Sequence, residues 1–477
     1  MSSIAGDLAD LSLTDAVAAM VSRRASAVEV LESCLAQVDA HEPDLNAVVW
    51  MDREQAFVDA RAADAMLAGG GEPGKLHGLP LAHKDMYYQA GRPSGCGSKI
   101  RGNFVPDITA TVISRLSAAG AYAFAGLNMA EFAQNGTGHN AHHGDCCNAW
   151  NLAYMTGGSS SGSGAAVLAR YTYAALGSDT GGSIRLPAAA NGVSGIKPTQ
   201  TRVSRYGVMP LSFSADNVGP LARTARDCAR ILGVIAGADP KDPTSSTMPV
   251  ADYEAALDGD LRGVRVGVPT SYFLEGCDGL VLAAFDVAMQ ALAARGAIVI
   301  PVDLPLMDAI QAYVSVVSRA EAGTIHAQWM RERSQDFAVH INSRLFASLA
   351  VPAAYYIEAL GRRGPILKAF AEAVFTKVDV IASPSIRICL PTLAETDVDG
   401  GDPACVERAM GISANTRPFN YLGLPAASIP CGFDPAGLPI SLQIAGRPFA
   451  EAAVLKVADA YQRDTDWHLR HPAFIKG

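Results

Sequence analysis

The sequence predicts an α/β layered fold built on a largely buried sheet, and three observations carry that prediction. Short apolar runs alternate with helix-like stretches along most of the chain, the pattern of strands and helices packed in layers. Several of the runs are apolar almost without interruption, as strands covered on both faces are. The composition, 49% hydrophobic and 18% charged over 477 residues, supplies a large core and is far from that of a disordered chain.

The elements follow in order. Residues 13–41 read as two helices, the second opened by a capping box in which Ser26 precedes Glu29. NAVVW at 46–50 is a short strand, REQAFVDARAADAML a helix, and GGGEPGKLHG at 69–78 a loop without P-loop spacing. LPLAHKD at 79–85 is a buried strand ending in Lys84 and Asp85, and strand ends are where ligands gather in α/β proteins. A helix over 109–120 and a strand over 121–126 come next. RVSRYGVMPLSFSADNVGP at 202–220 reads as turns, and TARDCARILGVIAG as a helix. Residues 238–262 are the most linker-like stretch and mark a candidate lobe boundary. Strands at 264–268 and 297–302 then flank a helix, and long helices run to about residue 376. VDVIASPS, AASIPCGF and ISLQIAG are strands, and EAAVLKVADAYQRD closes the chain as a helix.

Charge and targeting narrow the function classes. The 38 basic and 47 acidic residues give 38 − 47 = −9, with no basic stripe, so nucleic acid is not an expected partner. Nine scattered cysteines fit reduced thiols better than a disulfide framework. MSSIAGDLADLS at the N-terminus lacks the parts of a secretory signal, and no apolar run is long enough to span a bilayer. A cytoplasmic protein is expected.

Chemistry concentrates in Gly157–Lys197, where two Gly/Ser clusters flank an apolar segment. Gly158–Gly162 matches the G-x-S-x-G nucleophile elbow, for which His468 and His471 would have to supply the histidine. Ser194 and Lys197 match S-x-x-K, but Gly195 and Pro198 oppose the helix that pair needs, and Gly/Pro turn chemistry describes the segment better. His139, His142, His143, Cys146 and Cys147 form the densest set of metal-ligand types, without the repeated pair of a zinc site. The remaining set is Lys84, Ser159 and Ser183. Asp179-Thr180-Gly181-Gly182-Ser183 is a tight turn whose N–H groups can stabilise an oxyanion beside Ser183. A serine needs a base, and burial at a strand end would bring Lys84 from about 10.4 toward about 7. The competing reading pairs Lys84 with Asp85 and uses the serines as helix caps.

GGSSSGSG at 157–164, GSDTGGSIRLPAA at 177–189 and GIKPT at 195–199, with the lysine of GLPLAHKD, resemble the amidase signature family. NMAEF at 128–132, the 202–224 segment and TRPFNYLGLPAASIP extend the resemblance over nearly the whole chain. It implies one α/β/α layered domain over 1–477, with a central mixed sheet flanked by helices. It further implies a Ser–cis-Ser–Lys triad: Ser183 as nucleophile, Ser159 as bridge after a cis peptide from Gly158, and Lys84 as base. Backbone N–H groups of Thr180, Gly181, Gly182 and Ser183 would form the oxyanion hole, with Asp179 and Arg185 holding the loop in shape. The activity implied is hydrolysis of a small carboxylic amide through an acyl-enzyme, needing no metal or organic cofactor, with a homodimer as an assembly common in such relatives.

Two departures separate the chain from members that supply ammonia to misacylated tRNA: Met86 where they carry KDN, and Gly126-Leu127-Asn128 where they carry Gly-Lys-Thr-Asn. Both favour a stand-alone amidase over the glutaminase component of a tRNA-dependent amidotransferase. Apolar Met155 and Leu186, close to the serines in sequence, point to a neutral aliphatic or aromatic acyl group rather than a free carboxylate. Ala133 and Gln134 border the substrate by the same analogy. A catalytically silent scaffold is the reading that the presence of all three triad positions disfavours.

Overall fold

The computed structural model describes residues 7–472; the first six residues of the stretch read as lacking a signal lie outside that range. Eleven strands form one mixed sheet: β1 Val48–Met51, β2 Pro80–Lys84, β3 Tyr122–Leu127, β4 Ala174–Asp179, β5 Ser194–Lys197, β6 Asn217–Ala222, β7 Arg265–Pro269, β8 Ile298–Val302, β9 Val380–Pro384, β10 Ala426–Phe433 and β11 Pro439–Gly446. Their order is β1-β3-β2-β4-β6-β5-β10-β11-β9-β7-β8. β2 runs parallel to β3 and β4, and β7 runs parallel to β8 and β9, while the other neighbours are antiparallel.

Helices cover the sheet because its central strands are apolar on both faces. β2, β4, β5, β6, β9 and β11 are buried at every position. The helix Arg185–Asn191 packs on β5, β10 and β11, and the helix Glu451–Arg463 packs on β10 and β11. The capping box at the second helix is formed: Glu29 N donates to Ser26 Oγ at 3.1 Å, and Ser26 N donates to Glu29 Oε2 at 2.7 Å.

Two sequence expectations are corrected. Ser194–Lys197 is a strand in mid-sheet, and Asn217–Ala222, read within a turn-rich segment, is another. Glycine hides both. A Cβ at Gly219 would collide with the Ile196 carbonyl oxygen, and one at Gly195 would press on Ala188 and Ile184. In these strands glycine marks close approach of another chain segment rather than a turn. The linker-like 238–262 stretch has no helix or strand, yet Tyr253, Leu257 and Leu261 are buried in the main core. Strands from both sides of it share the one sheet. Among the described residues, no helix is long and apolar enough to cross a membrane.

Candidate active site

Lys84 is the last residue of β2, and the buried strand carries its ammonium into the interior, where the residue is 1% exposed. Its Nζ donates to Ser159 Oγ at 2.7 Å and to Ser178 Oγ at 2.8 Å. Burial pushes the Lys84 pKa down to about 7, against the opposing pull of Asp216 and Asp179. The alternative pairing with Asp85 does not form. That carboxylate accepts Gly95 N at 2.9 Å, and burial pushes it up to about 7.

Ser159 follows a non-proline cis peptide from Gly158. Glycine is required before it, since a Cβ on Gly158 would meet the Asn135 carbonyl oxygen and the Gly138 backbone. The next residue, Ser160, precedes the helix Ser161–Leu168 and donates to the Ser183 carbonyl oxygen at 2.5 Å, tying the two Gly/Ser clusters together.

The Asp179–Ser183 loop leaves the end of β4 and is fixed from below. The Asp179 carboxylate accepts Gly182 N at 2.8 Å, Arg185 Nε at 2.9 Å and Arg185 Nη2 at 2.9 Å, with both residues fully buried. Burial alone would raise Asp179; the charge and hydrogen bonds of Arg185 outweigh it and hold the carboxyl down to about 2. Arg185 reaches onward to the Thr416 carbonyl, Gln443 Oε1 and Asn420 Oδ1 at 2.7–2.9 Å. Because Gly182 N–H is committed to Asp179, it is not free for an oxyanion. Among the described residues, the N–H groups of Thr180, Gly181 and Ser183 have no acceptor. The Ser183 hydroxyl likewise has no hydrogen-bond partner among them, and the residue is 8% exposed.

Ala133 and Gln134 lie in the segment that leads into Gly136. Ala133 takes a left-handed φ of 61°, and further along this segment the Gly136 carbonyl accepts Gly158 N at 2.7 Å. Gln134 is buried, and its carbonyl accepts Arg344 Nη1 at 2.5 Å. Met155 and Leu186 belong to an apolar cluster with Ile386, Leu390, Ile412 and Leu438. Leu186 does touch the loop, through the space a Gly182 side chain would need.

Other candidate chemistries do not assemble. Ser194 Oγ accepts Gln462 Nε2, while Lys197 Nζ donates to the Pro198 carbonyl, so the S-x-x-K residues part company along a strand. His471 lies beside Arg170 and Asp10, away from the serines of the elbow match. His139 pairs with Asp145, and His142 with Glu131; among the described residues no three His, Cys, Asp or Glu side chains gather as a metal site. Ser178, the second serine on Lys84, escapes a reading of the sequence. Its only signal is its place in GSDTGGS. A cavity of about 320 Å³ reaches it, lined also by Met86, Met209, Phe213, Asp216 and Asn217.

Residues 29–455 match the Amidase family. The A-type chain of glutamyl-tRNA(Gln) amidotransferase from Chloroflexus aurantiacus is 40% identical, over 98% of this chain and 99% of its own. A 6-aminohexanoate cyclic dimer hydrolase superposes with a TM-score of 0.90 at 26% identity, covering 99% of this chain and 100% of that one. A bacterial aryl acylamidase of the amidase signature family gives 0.86 at 25% identity, covering 97% and 98%. With its signature loops built on a large mixed sheet flanked by helices, the chain belongs to the amidase family, the amidase signature enzymes that act on carbon–nitrogen bonds.

Proposed function

We propose that the chain hydrolyses the C–N bond of a small carboxylic amide, an aryl or aliphatic acylamide, through a seryl acyl-enzyme. The observation that carries this reading is the 2.7 Å hydrogen bond from buried Lys84 to Ser159, beside a loop with an unbonded Ser183 hydroxyl and open N–H groups. A neutral Lys84 takes a proton from Ser159, which takes one from Ser183 as its Oγ attacks the carbonyl carbon. Substrate draws the Ser183 hydroxyl into line with Ser159, a contact that commonly tightens only in the complex. The developing oxyanion is met by the N–H groups of Thr180, Gly181 and Ser183. The relay then returns a proton to the leaving nitrogen, ammonia or an amine departs, and water releases the acid. The purified single chain should release ammonia or amine from simple amides, and Ser183→Ala should release none.

A second reading has its own support. Forty percent identity along 98% of the chain links it to the A-type component of a glutamyl-tRNA(Gln) amidotransferase, and in that role it would act as the glutaminase with partner proteins. Activity of the lone chain on simple amides favours the first reading. Activity only with those partners and misacylated tRNA favours the second.

A further inference from the structure

Strand pairing sets Asp216 against the loop that carries Ser183. β4 and β6 run antiparallel with Asp179 opposite Asn217, so the residue leaving β4, Thr180, meets the residue entering β6, Asp216. Thr180 Oγ1 donates to Asp216 Oδ1 at 2.5 Å, and both residues are buried. The second oxygen, Oδ2, accepts Leu211 N at 2.8 Å and Ser212 N at 2.9 Å. Glu321, on the helix Met307–Glu332, accepts the Ser212 hydroxyl and, at 3.0 Å, Ser214 N, which clamps the segment leading to Asp216.

The same carboxylate acts on the base. Ser178, whose Oγ accepts Lys84 Nζ at 2.8 Å, and Asp216 line one cavity, together with Arg205, Lys241 and Asp242. Burial lowers the Lys84 pKa, and Asp216 opposes it most, ahead of Asp179 and the Cys96 thiol. Asp179 is matched by its ion pair with Arg185, whereas among the described residues Asp216 makes no ion pair. Burial pushes the Asp216 carboxyl up, against the hydrogen bonds of Thr180, Ser212 and Leu211 and the charge of Arg205. Tyr87, raised by burial and then by Asp216, is the other titratable group beside it. A buried carboxylate without a counter-ion is costly, and a positive charge appearing nearby relieves that cost.

We propose that Asp216 is a positioning residue for amide hydrolysis: it anchors Thr180 in the oxyanion turn, and its charge stabilises the ammonium that forms as Lys84 takes the proton from Ser159. This rests on the amide-hydrolase reading and adds a fourth member to the relay. No proton moves to Asp216. The proton passes from Ser183 through Ser159 to Lys84 and returns by the same path to the leaving nitrogen.

Substitution separates the two roles. Asp216→Asn removes the charge but can keep the bonds, its oxygen accepting Leu211 N and Ser212 N while its amide donates to the Thr180 hydroxyl. Lys84 then sheds its proton more readily and is a weaker base. kcat/KM at pH 9 should fall about tenfold, and the ratio of kcat/KM at pH 6 to that at pH 9, about one-tenth in the wild type, should rise at least about threefold. Thr180→Val keeps the charge and removes the anchor, so kcat should fall about tenfold or more with the ratio unchanged. Labelling of Ser183 by a fluorophosphonate, followed by mass spectrometry, reads the same pH dependence without an amide substrate. Should calorimetry show that Asp216→Asn does not fold, Asp216→Ser supplies the neutral variant. A loss that is uniform across pH in the neutral variant overturns the charge role, and full activity of Thr180→Val overturns the anchor. A wild type that labels with an Asp216-dependent profile yet hydrolyses no amide sinks the hydrolase reading and keeps the role of Asp216. Neither labelling nor turnover rejects both.

Discussion

A lysine that serves as a base near neutrality must be held where its charge is unwelcome, and Lys84 is. Its pKa falls from the ordinary 10.5 to about 7, so the reactive form is the deprotonated one above that value. kcat/KM for a simple amide should therefore fall about tenfold per pH unit below 7 and level off above it. Lys84→Ala should lower it by about 10³-fold at pH 8, within the usual range for a positioned base. The same burial burdens the fold. Below pH 7 the folded and unfolded chains both hold the proton, and the cost of the buried charge is fully present. Between about 7 and 10.5 only the unfolded chain holds it, so stability rises with pH through this window. Lys197, buried and also pushed down to about 7, acts in the same direction. Calorimetry of Lys84→Met should show a gain in thermal midpoint that is larger at pH 6 than at pH 10, with activity lost at both.

The loop from Asp179 to Ser183 takes its shape from one buried ion pair. Arg185→Leu strands the Asp179 carboxylate in the interior and should cost about 3–5 kcal/mol in denaturant unfolding. The folded Asp179 pKa is about 2 against an ordinary 3.8, so its contribution is complete above 3.8 and disappears only as pH falls through 2. Gly182 has a φ of 135°, and a Cβ there would run into Thr416. Gly182→Ala should thus depress kcat more than it depresses the thermal midpoint, because Thr416 and Gly181 must shift beside the nucleophile. How much of this is legible in the sequence depends on how local the signal is. Strands such as β2, β9 and β11 announce themselves as apolar runs. β5 and β6 do not, because Gly195 and Gly219 sit where neighbouring backbone leaves no room for a side chain, and glycine in a sequence reads as a turn. Lys84, Ser159 and Ser183 are legible through motif resemblance. Ser178 is not, since its importance comes from Lys84, which lies across from it in space.

Across the whole molecule, the sheet joins segments far apart in sequence. β5 pairs with β10, and Arg185 is bonded to residues 416, 420 and 443, so the first half of the chain cannot complete its own loop. Fragments 1–250 and 251–477, expressed separately, should each lack a cooperative thermal transition and amide turnover, measured by calorimetry and ammonia release. The linker-like stretch at 238–262 is packed against the main core through Tyr253, Leu257 and Leu261.

The reach of Arg185 has a consequence for the chain while it is being made. Residues 84, 159 and 183 leave the ribosome early, yet the partners at 416, 420 and 443 that clamp the nucleophile turn emerge among the last. Until they dock, the Asp179–Arg185 pair lacks the outer bonds that steady the turn around Ser183. Synthesis order thus leaves the turn around Ser183 among the last parts of the molecule to be fixed, completed only with the final strands.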